Sequence, residues 1–429
     1  MLAFKSSVRP AGSSFRRVIT AVRRLHIHEH QANDLLRHHA IRIPAGGIAR
    51  TPAEARAVAE QLEKSGKTAY MVKAQVLANQ RQTGTFENGV KGGVRAASSA
   101  EDVERAARDM LGHRLTTPAP TTNPAGLPTA SVLVTEKLDG RQLYLAITCD
   151  RKTCAPIVVC SRRGGIELEN LDPESIHRIQ IKYSKGITDY VAASVASALG
   201  LGIDQMKNTL EKLWTIFKEK EALMLEINPL IETTEGKVVC ASPKFSFDNA
   251  ARSRQPELFG AASKHDGSTG LRDVSQEVAE EVKAEEADLV YIKMFEGNVG
   301  TLVNGAGLAM STLDTIAHYG GASANFLDAG GRATSETIKQ ALTLILSDKR
   351  VKSVLVNIYG GLTRGDMIAN GIILAAKSLD IHVPVVVRIQ GTNSKEGQQI
   401  IRESGLGLIS CDGMEEAARK AIELANAEA

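Results

Sequence analysis

The chain lacks the short signatures that announce most nucleotide-binding or nucleophilic enzymes. It has neither a G-x-x-x-x-G-K-[ST] phosphate loop nor a G-x-S-x-G elbow, so no obvious residue of its own carries nucleophilic catalysis. It has five cysteines, Cys149, Cys154, Cys160, Cys240 and Cys411, an odd number with no C-x-x-C spacing. That usage suits reduced, structural thiols better than a disulfide framework. No apolar run is long enough to cross a bilayer. No internal repeat or long low-complexity tract stands out.

Acid is missing from the N-terminus. The first 28 residues hold Lys5, Arg9, Arg16, Arg17, Arg23 and Arg24 and no Asp or Glu, and the formal net charge of +3 falls to about −3 without them. The basic character therefore belongs to the leader, and neither a nucleic-acid nor a membrane partner is expected. Residues 1–25, rich in Arg and Ser with apolar residues that can share a helical face, read as a mitochondrial transit peptide, which predicts the mitochondrial matrix.

The 429 residues leave room for two or three domains. From about Gly297 the chain alternates apolar runs with helical segments. "VGTLVNG", "SANFLDAGG", "KSVLVNIYGG", "VPVVVRIQGTN" and "LGLIS" each precede a helix, the pattern of a doubly wound parallel sheet. Ligands in such sheets sit beyond the carboxyl ends of strands, where helix N-termini face anions. "VNGAGLAM" and "YGGLTRGD" are thus natural carboxylate sites, with Asn304 and Thr363 as donors and Gly305, Gly307, Gly360 and Gly361 allowing close approach.

The first half is less regular. Helices are expected over 29–41, 52–64, 187–199 and 204–219, the second with Thr51 as N-cap and Pro52 at its first position. "AYMVKAQV" reads as a strand carrying Lys73, and "QLYLAITCD" with "APIVVCS" as a hairpin. "LMLEINPLIE" and "VVCASPKFSF" read as two strands joined by "TTEGK". Glu226 and Asn228 then share a face, with Ser242, Lys244 and Asp248 on the returning chain, an oxygen-rich set suited to magnesium. An ordinary solvated strand pair is the alternative. The histidines of "HIHEH" invite a metal reading, although their place suggests a strand at the domain start.

"LHIHEHQANDLL", "VKAQVLA", "GVKGGV", "LEINPL", "GNVGTLVNGAGLAM", "ANFLDAGG" and "ILSDKRVKSVLVNIYGGLTRGDMIANGI" resemble the β-subunit family of succinyl-CoA synthetase (succinate–CoA ligase), from about Leu25 to the C-terminus. The resemblance implies a mixed α/β and α+β chain, with an ATP-grasp nucleotide domain over 26–260 and a flavodoxin-like, parallel-sheet CoA-ligase domain over 261–429. It implies an α-subunit partner, in an αβ or α2β2 assembly, that carries the phosphorylated histidine and most of the CoA site. The implied reaction joins succinate and CoA at the expense of ATP or GTP, with one Mg2+ per chain. By position, Lys73, Gln80, Arg81 and Gln82 match nucleotide-phosphate residues, and Glu136 and Gln142 stand near the nucleotide. Glu226 matches the acid that meets the phosphohistidine, Asn228 and Ser242 match the metal ligands, and Asn304, Gly361, Leu362 and Thr363 match the succinate segments.

The departures lie on the nucleotide side. "ANQRQTG" stands where the family has "AGGRGKG", so Asn79, Gln80 and Gln82 replace glycines and Thr83 a lysine. Ser242 replaces an aspartate metal ligand, Gln142 a glutamate, and "SRRGG" carries an unusual arginine before its glycines. Three readings follow: an active β subunit with an altered loop, a non-catalytic β-like partner that binds and regulates the α subunit, or a malate–CoA ligase relative.

Overall fold

The computed structural model describes residues 24–118, 123–165, 171–260, 270–331, 334–361, 364–379 and 381–427. All but the last two residues of the expected leader, and Leu362 and Thr363, lie outside the described residues. The chain forms two compact units, Arg23–Gln276 and Glu277 onward.

The first unit holds two principal sheets. The larger runs Arg24–His26, Pro243–Asp248, Ala222–Thr233, Gly140–Asp150, Ala155–Ser161 and His177–Gln180, with Val238–Cys240 paired on Ala222–Thr233. Alternation sets its faces: Leu143, Leu145, Ile147, Leu225 and Ile227 point into a core shared with Leu210, Leu213 and Phe217 of the helix Ile203–Glu219. Glu226 and Asn228 fall on the opposite, part-exposed face. The stretch expected as one strand, "VVCASPKFSF", is two, because Pro229 and Pro243 lack the N–H a continuous ladder needs. Between them Asn228 N–H donates to the Ser242 carbonyl at 3.0 Å and Ala241 N–H to the Pro229 carbonyl at 3.2 Å.

The smaller sheet orders Gly46–Ala49, Val132–Glu136, Tyr70–Ala74 and Val94–Ala97. It is covered by Pro52–Lys64 and Ala100–Met110, whose Ala55, Ala59, Val103, Ala107 and Met110 pack on Val72 and Val134. The start of the first helix follows from its sequence. Thr51 Oγ1 accepts from Glu54 N–H at 3.2 Å, and Glu54 returns to Arg50 N–H at 2.7 Å.

In the second unit the five expected strands form a parallel sheet in the order Asn325–Asp328, Val299–Val303, Ser353–Gly360, Val385–Gly391, Ile409–Cys411. This is the 2-1-3-4-5 order of flavodoxin-like folds. The sequence reading missed a sixth strand, Val290–Lys293, which adds antiparallel to Asn325–Asp328 at the edge. Its four residues precede the first strand–helix unit, so no strand-then-helix rhythm marks them. Helices cover both faces: Val354, Val356 and Ile358 pack with Ile338, Ile345 and Ile372, while Leu355 and Val386 pack with Ala417 and Ala421.

Two asparagines complete this sheet with side chains. Asn325 Oδ1 accepts from Thr301 N–H at 3.0 Å and its Nδ2 donates to the Thr301 carbonyl at 2.8 Å, filling a rung between the first two parallel strands. Asn304 does the same for Tyr359, with Oδ1 accepting at 2.8 Å and Nδ2 donating at 2.9 Å. All five cysteines are free thiols, and burial pushes Cys160 and Cys240 up to about 12.

Candidate functional site

A cavity of about 430 Å³ in the first unit is walled by its two principal sheets. The smaller sheet supplies Lys73 and Glu136, and the turn after Lys73 supplies Gln80, Arg81 and Gln82. The larger contributes Gln142, Glu226 and Asn228, with Ser242 in the bend before Pro243. Nine positions that the sequence scatters over 170 residues thus line one space.

Lys73 is not a solvated lysine. It is 7% exposed, and its Nζ donates to Glu29 Oε1 at 2.7 Å and to the Ala241 carbonyl at 2.9 Å. The other oxygen of Glu29 takes Arg81 Nη2, while Arg81 Nη1 donates to the Ala74 carbonyl at 2.9 Å. Burial alone would raise the Glu29 carboxyl, but the charges of Arg81 and Lys73 outweigh it and hold its pKa below the ordinary value. Lys73, Arg81 and Glu29 thus form a triad of two cations and one anion in the cavity wall. Sequence reading missed Glu29: it lies 44 residues before Lys73 at the head of the helix Glu29–His38, and no local pattern links them.

The loop keeps a defined path without its expected glycines. Gln80 sits in the left-handed region at φ 57 and leads into a 3-10 turn, Arg81–Thr83. Thr83 N–H donates to the Gln80 carbonyl at 3.0 Å, and Gly93 N–H to the Arg81 carbonyl at 2.8 Å. Asn79 Oδ1 accepts from Lys244. A side chain in the left-handed region costs about 1–2 kcal/mol, against about 0.5–1 kcal/mol for the extra freedom of glycine. Gln80→Gly is therefore expected to stabilise the chain by about 0.5 kcal/mol. Gln82→Gly, at a position without positive φ, is expected to destabilise it by a similar amount. Urea midpoints of both variants check the opposite signs.

Glu136 is fully engaged, pairing with Lys67 Nζ at 2.5 Å and accepting from Ala45 N–H at 2.8 Å. Asn228 Oδ1 accepts from Gly165 N–H at 2.7 Å. The paired glycines of "SRRGG" have separate reasons: a Cβ on Gly164 would lie 2.1 Å from the Leu143 carbonyl oxygen, and Gly165 has φ 77.

The expected magnesium can be tested against the donors present. Among the described residues no three His, Cys, Asp or Glu side chains group as a metal cluster. The Asn228 amide oxygen, the Ser242 hydroxyl and the Glu226 carboxylate nonetheless share the cavity. One carboxylate with neutral oxygens suits an ion that fills its octahedron with waters and phosphate oxygens, so the residues fit. Asp248 serves elsewhere, accepting from Ala250 N–H at 2.9 Å to cap a short turn.

The "HIHEH" histidines split. His28 Nε2 pairs with Asp273 at 2.8 Å, which holds that carboxyl down at about 2, and His30 Nδ1 bonds Gln75 at 3.0 Å. His26 lines the cavity, its pKa lowered to about 4 by burial and then by Lys244 and Arg24. It is neutral at physiological pH.

In the second unit, Asn304 and Gly361 stand at the carboxyl ends of Val299–Val303 and Ser353–Gly360, the point where strand order reverses. Helices Ala306–His318 and Gly365–Ser378 begin there. Asp328 accepts from Gly305 N–H at 2.6 Å and Gly330 N–H at 2.7 Å. Arg364 pairs with Asp366 at 2.7 Å beside the second helix start. The Asn304 amide is committed to the Tyr359 backbone, which leaves one amide hydrogen for a ligand.

A family model described as an ATP-grasp domain matches residues 26–232, and one described as CoA-ligase matches 302–422. The mitochondrial succinate–CoA ligase [ADP-forming] β subunit of Neurospora crassa is 43% identical over 94% of this chain and 88% of its own length. Its counterpart in Saccharomyces cerevisiae is 40% identical over 95% and 94%, and a hydrogenosomal one in Neocallimastix frontalis is 40% identical over 94% and 90%. Among solved structures, an ATP citrate lyase from Methanothrix soehngenii shares the fold, with TM-score 0.67 at 17% identity, covering 93% of this chain and 100% of that one.

Proposed function

Because the chain belongs to the succinate–CoA ligase β-subunit family, we propose that it works with an α subunit in the mitochondrial matrix, coupling succinate–CoA ligation to ATP hydrolysis and, in reverse, to ATP formation. The α subunit contributes the histidine that is phosphorylated and most of the CoA site. ADP rather than GDP is favoured because the relatives are named ADP-forming.

The carrying observation is that the positions matched to nucleotide, metal and phosphohistidine roles line a single cavity. In this reading the nucleotide enters between the two sheets with its phosphates toward Lys73 and Arg81, and Glu136 and Gln142 stand near base and ribose. Lys73 and Arg81 hold their places through Glu29 and backbone carbonyls, so they are oriented before the phosphates arrive. Magnesium beside Asn228 and Ser242 would offset phosphate charge. Glu226 is available to accept a hydrogen bond from the partner's histidine. Succinate is assigned to the switch point at Asn304 and Gly361, with Leu362 and Thr363, where two helix N-termini favour carboxylate.

Two observations favour the non-catalytic reading: Glu29 already offsets one of the two positive charges that face the phosphates, and Ser242 brings no charge to the metal. The two readings separate when the chain, lacking its leader, is co-purified with the α subunit and given γ-labelled ATP or GTP with magnesium. Acid-labile label on α, stronger with ATP, is the expected result. A stable complex that takes no label from either nucleotide overturns the catalytic reading.

A further inference from the structure

The last residues of the first unit return to the cavity from far along the chain. Gln276 closes the 3-10 turn Val274–Gln276, 199 residues beyond Leu77, and is 8% exposed. Its Oε1 accepts from Leu77 N–H at 3.2 Å, and its Nε2 donates to the Pro128 carbonyl at 2.8 Å. Both partners are main-chain groups of fixed polarity, so one orientation of the amide satisfies both.

Leu77 opens the turn that carries Asn79, Gln80, Arg81 and Gln82 along the cavity wall. Before it, Ala74 N–H and Gln75 N–H donate to the Gly93 and Ser131 carbonyls at 2.8 Å and 3.0 Å. After it, Thr83 N–H is tied to Gln80. Of the main-chain N–H groups from Val76 to Gln82, only that of Leu77 is hydrogen-bonded among the described residues, and its acceptor is Gln276. Side chains hold the rest of the turn, Asn79 through Lys244 and Arg81 through the Ala74 carbonyl.

The segment that supplies Gln276 is anchored at its other end. Asp273 pairs with His28 Nε2 at 2.8 Å and accepts from Ser275 N–H at 3.0 Å and from its hydroxyl at 2.6 Å. His28 is the N-cap residue directly before Glu29. Asp273 and Gln276 therefore grip the two elements whose side chains meet in the triad of Glu29, Lys73 and Arg81.

We infer that Gln276 is a positioning residue for phosphate recognition, fixing the entry to the turn through the Leu77 main chain. It lies outside the cavity lining and so has no direct part in binding. The inference rests on the cavity's being the nucleotide site. Freed of its one main-chain tether, the turn gains conformations that a bound phosphate must then remove.

The test compares the parent αβ complex with Gln276→Leu and Gln276→Met, which keep the bulk and remove both bonds. Calorimetric titration with ADP and magnesium is expected to show about tenfold weaker binding in each variant. Hydrogen exchange over residues 75–84 should be faster. The KM for ATP in labelling the α subunit should rise by the same factor. Complexes labelled at saturating ATP should release that label to succinate and CoA within about twofold of the parent rate, because this half-reaction needs no nucleotide. ADP affinity equal to the parent's in either folded variant overturns the inference, and so does an equal slowing of both half-reactions, which marks a general structural role. Failure of the parent itself to bind ADP overturns the nucleotide reading and this inference together. Urea midpoints verify that the variants are folded.

Discussion

Glu29→Gln is expected to destabilise the chain by about 3 kcal/mol, because breaking a buried ion pair by removing one partner strands the other charge. Here two cations lose their shared anion. Lys73 and Arg81 have side chains only 8% and 16% exposed, so water reaches them poorly. Glutamine matches the shape and can still accept one hydrogen bond, but it supplies no charge. The loss should show as a lower urea midpoint with unchanged slope. A second measurement separates a structural from a ligand-linked role. Nucleotide phosphates would bring back negative charge, so saturating ADP should stabilise the variant more than the parent, by linkage. A midpoint within about 0.5 kcal/mol of the parent would show that the triad contributes little. Equal stabilisation of both proteins by ADP would show that phosphate does not meet these cations.

Asn325→Leu is expected to cost about 3 kcal/mol, through a different mechanism. The side chain is 1% exposed and satisfies both the N–H and the carbonyl of Thr301. Leucine is close in volume but leaves two buried backbone groups without partners, each worth about 1–3 kcal/mol, and its own apolar burial offsets part of that. Asn304→Leu breaks the same pair of bonds to Tyr359, at a rung where Tyr359 is 59% exposed and water can replace them. Its cost should be about 1 kcal/mol or less. Unfolding in urea with both variants measures the contrast, and equal costs would refute the account of Asn325 as a buried rung.

Much of the second unit was legible because each parallel strand is followed by an amphipathic helix that must cover it, so the two periodicities alternate along the chain. The strand Val290–Lys293 escaped since it pairs antiparallel at an edge and has no such partner. In the first unit, the helix Pro52–Lys64 could be read from its cap residues, and Asp189–Leu199 was expected within a residue or two of its observed bounds. The hairpin Gly140–Asp150 with Ala155–Ser161 followed from two apolar runs around a polar turn. The cavity's residues were recognisable by motif, but their interactions were not. Glu29 to Lys73 and Asn79 to Lys244 join positions 44 and 165 residues apart, and only the folded sheets bring them together. The double asparagine rungs were equally hidden, since an asparagine near a strand end reads the same whether it faces a ligand or a neighbouring backbone.

The side-chain-bearing loop after Lys73 also alters the entropy of recognition. A glycine cluster samples many backbone states and must be ordered when a phosphate arrives, whereas Asn79, Gln80 and Gln82 narrow the conformations open to the chain beforehand. With Gln80 held left-handed and the turn Arg81–Thr83 already bonded, less freedom remains to be lost on binding. The same restriction narrows the set of phosphate geometries that the loop can follow.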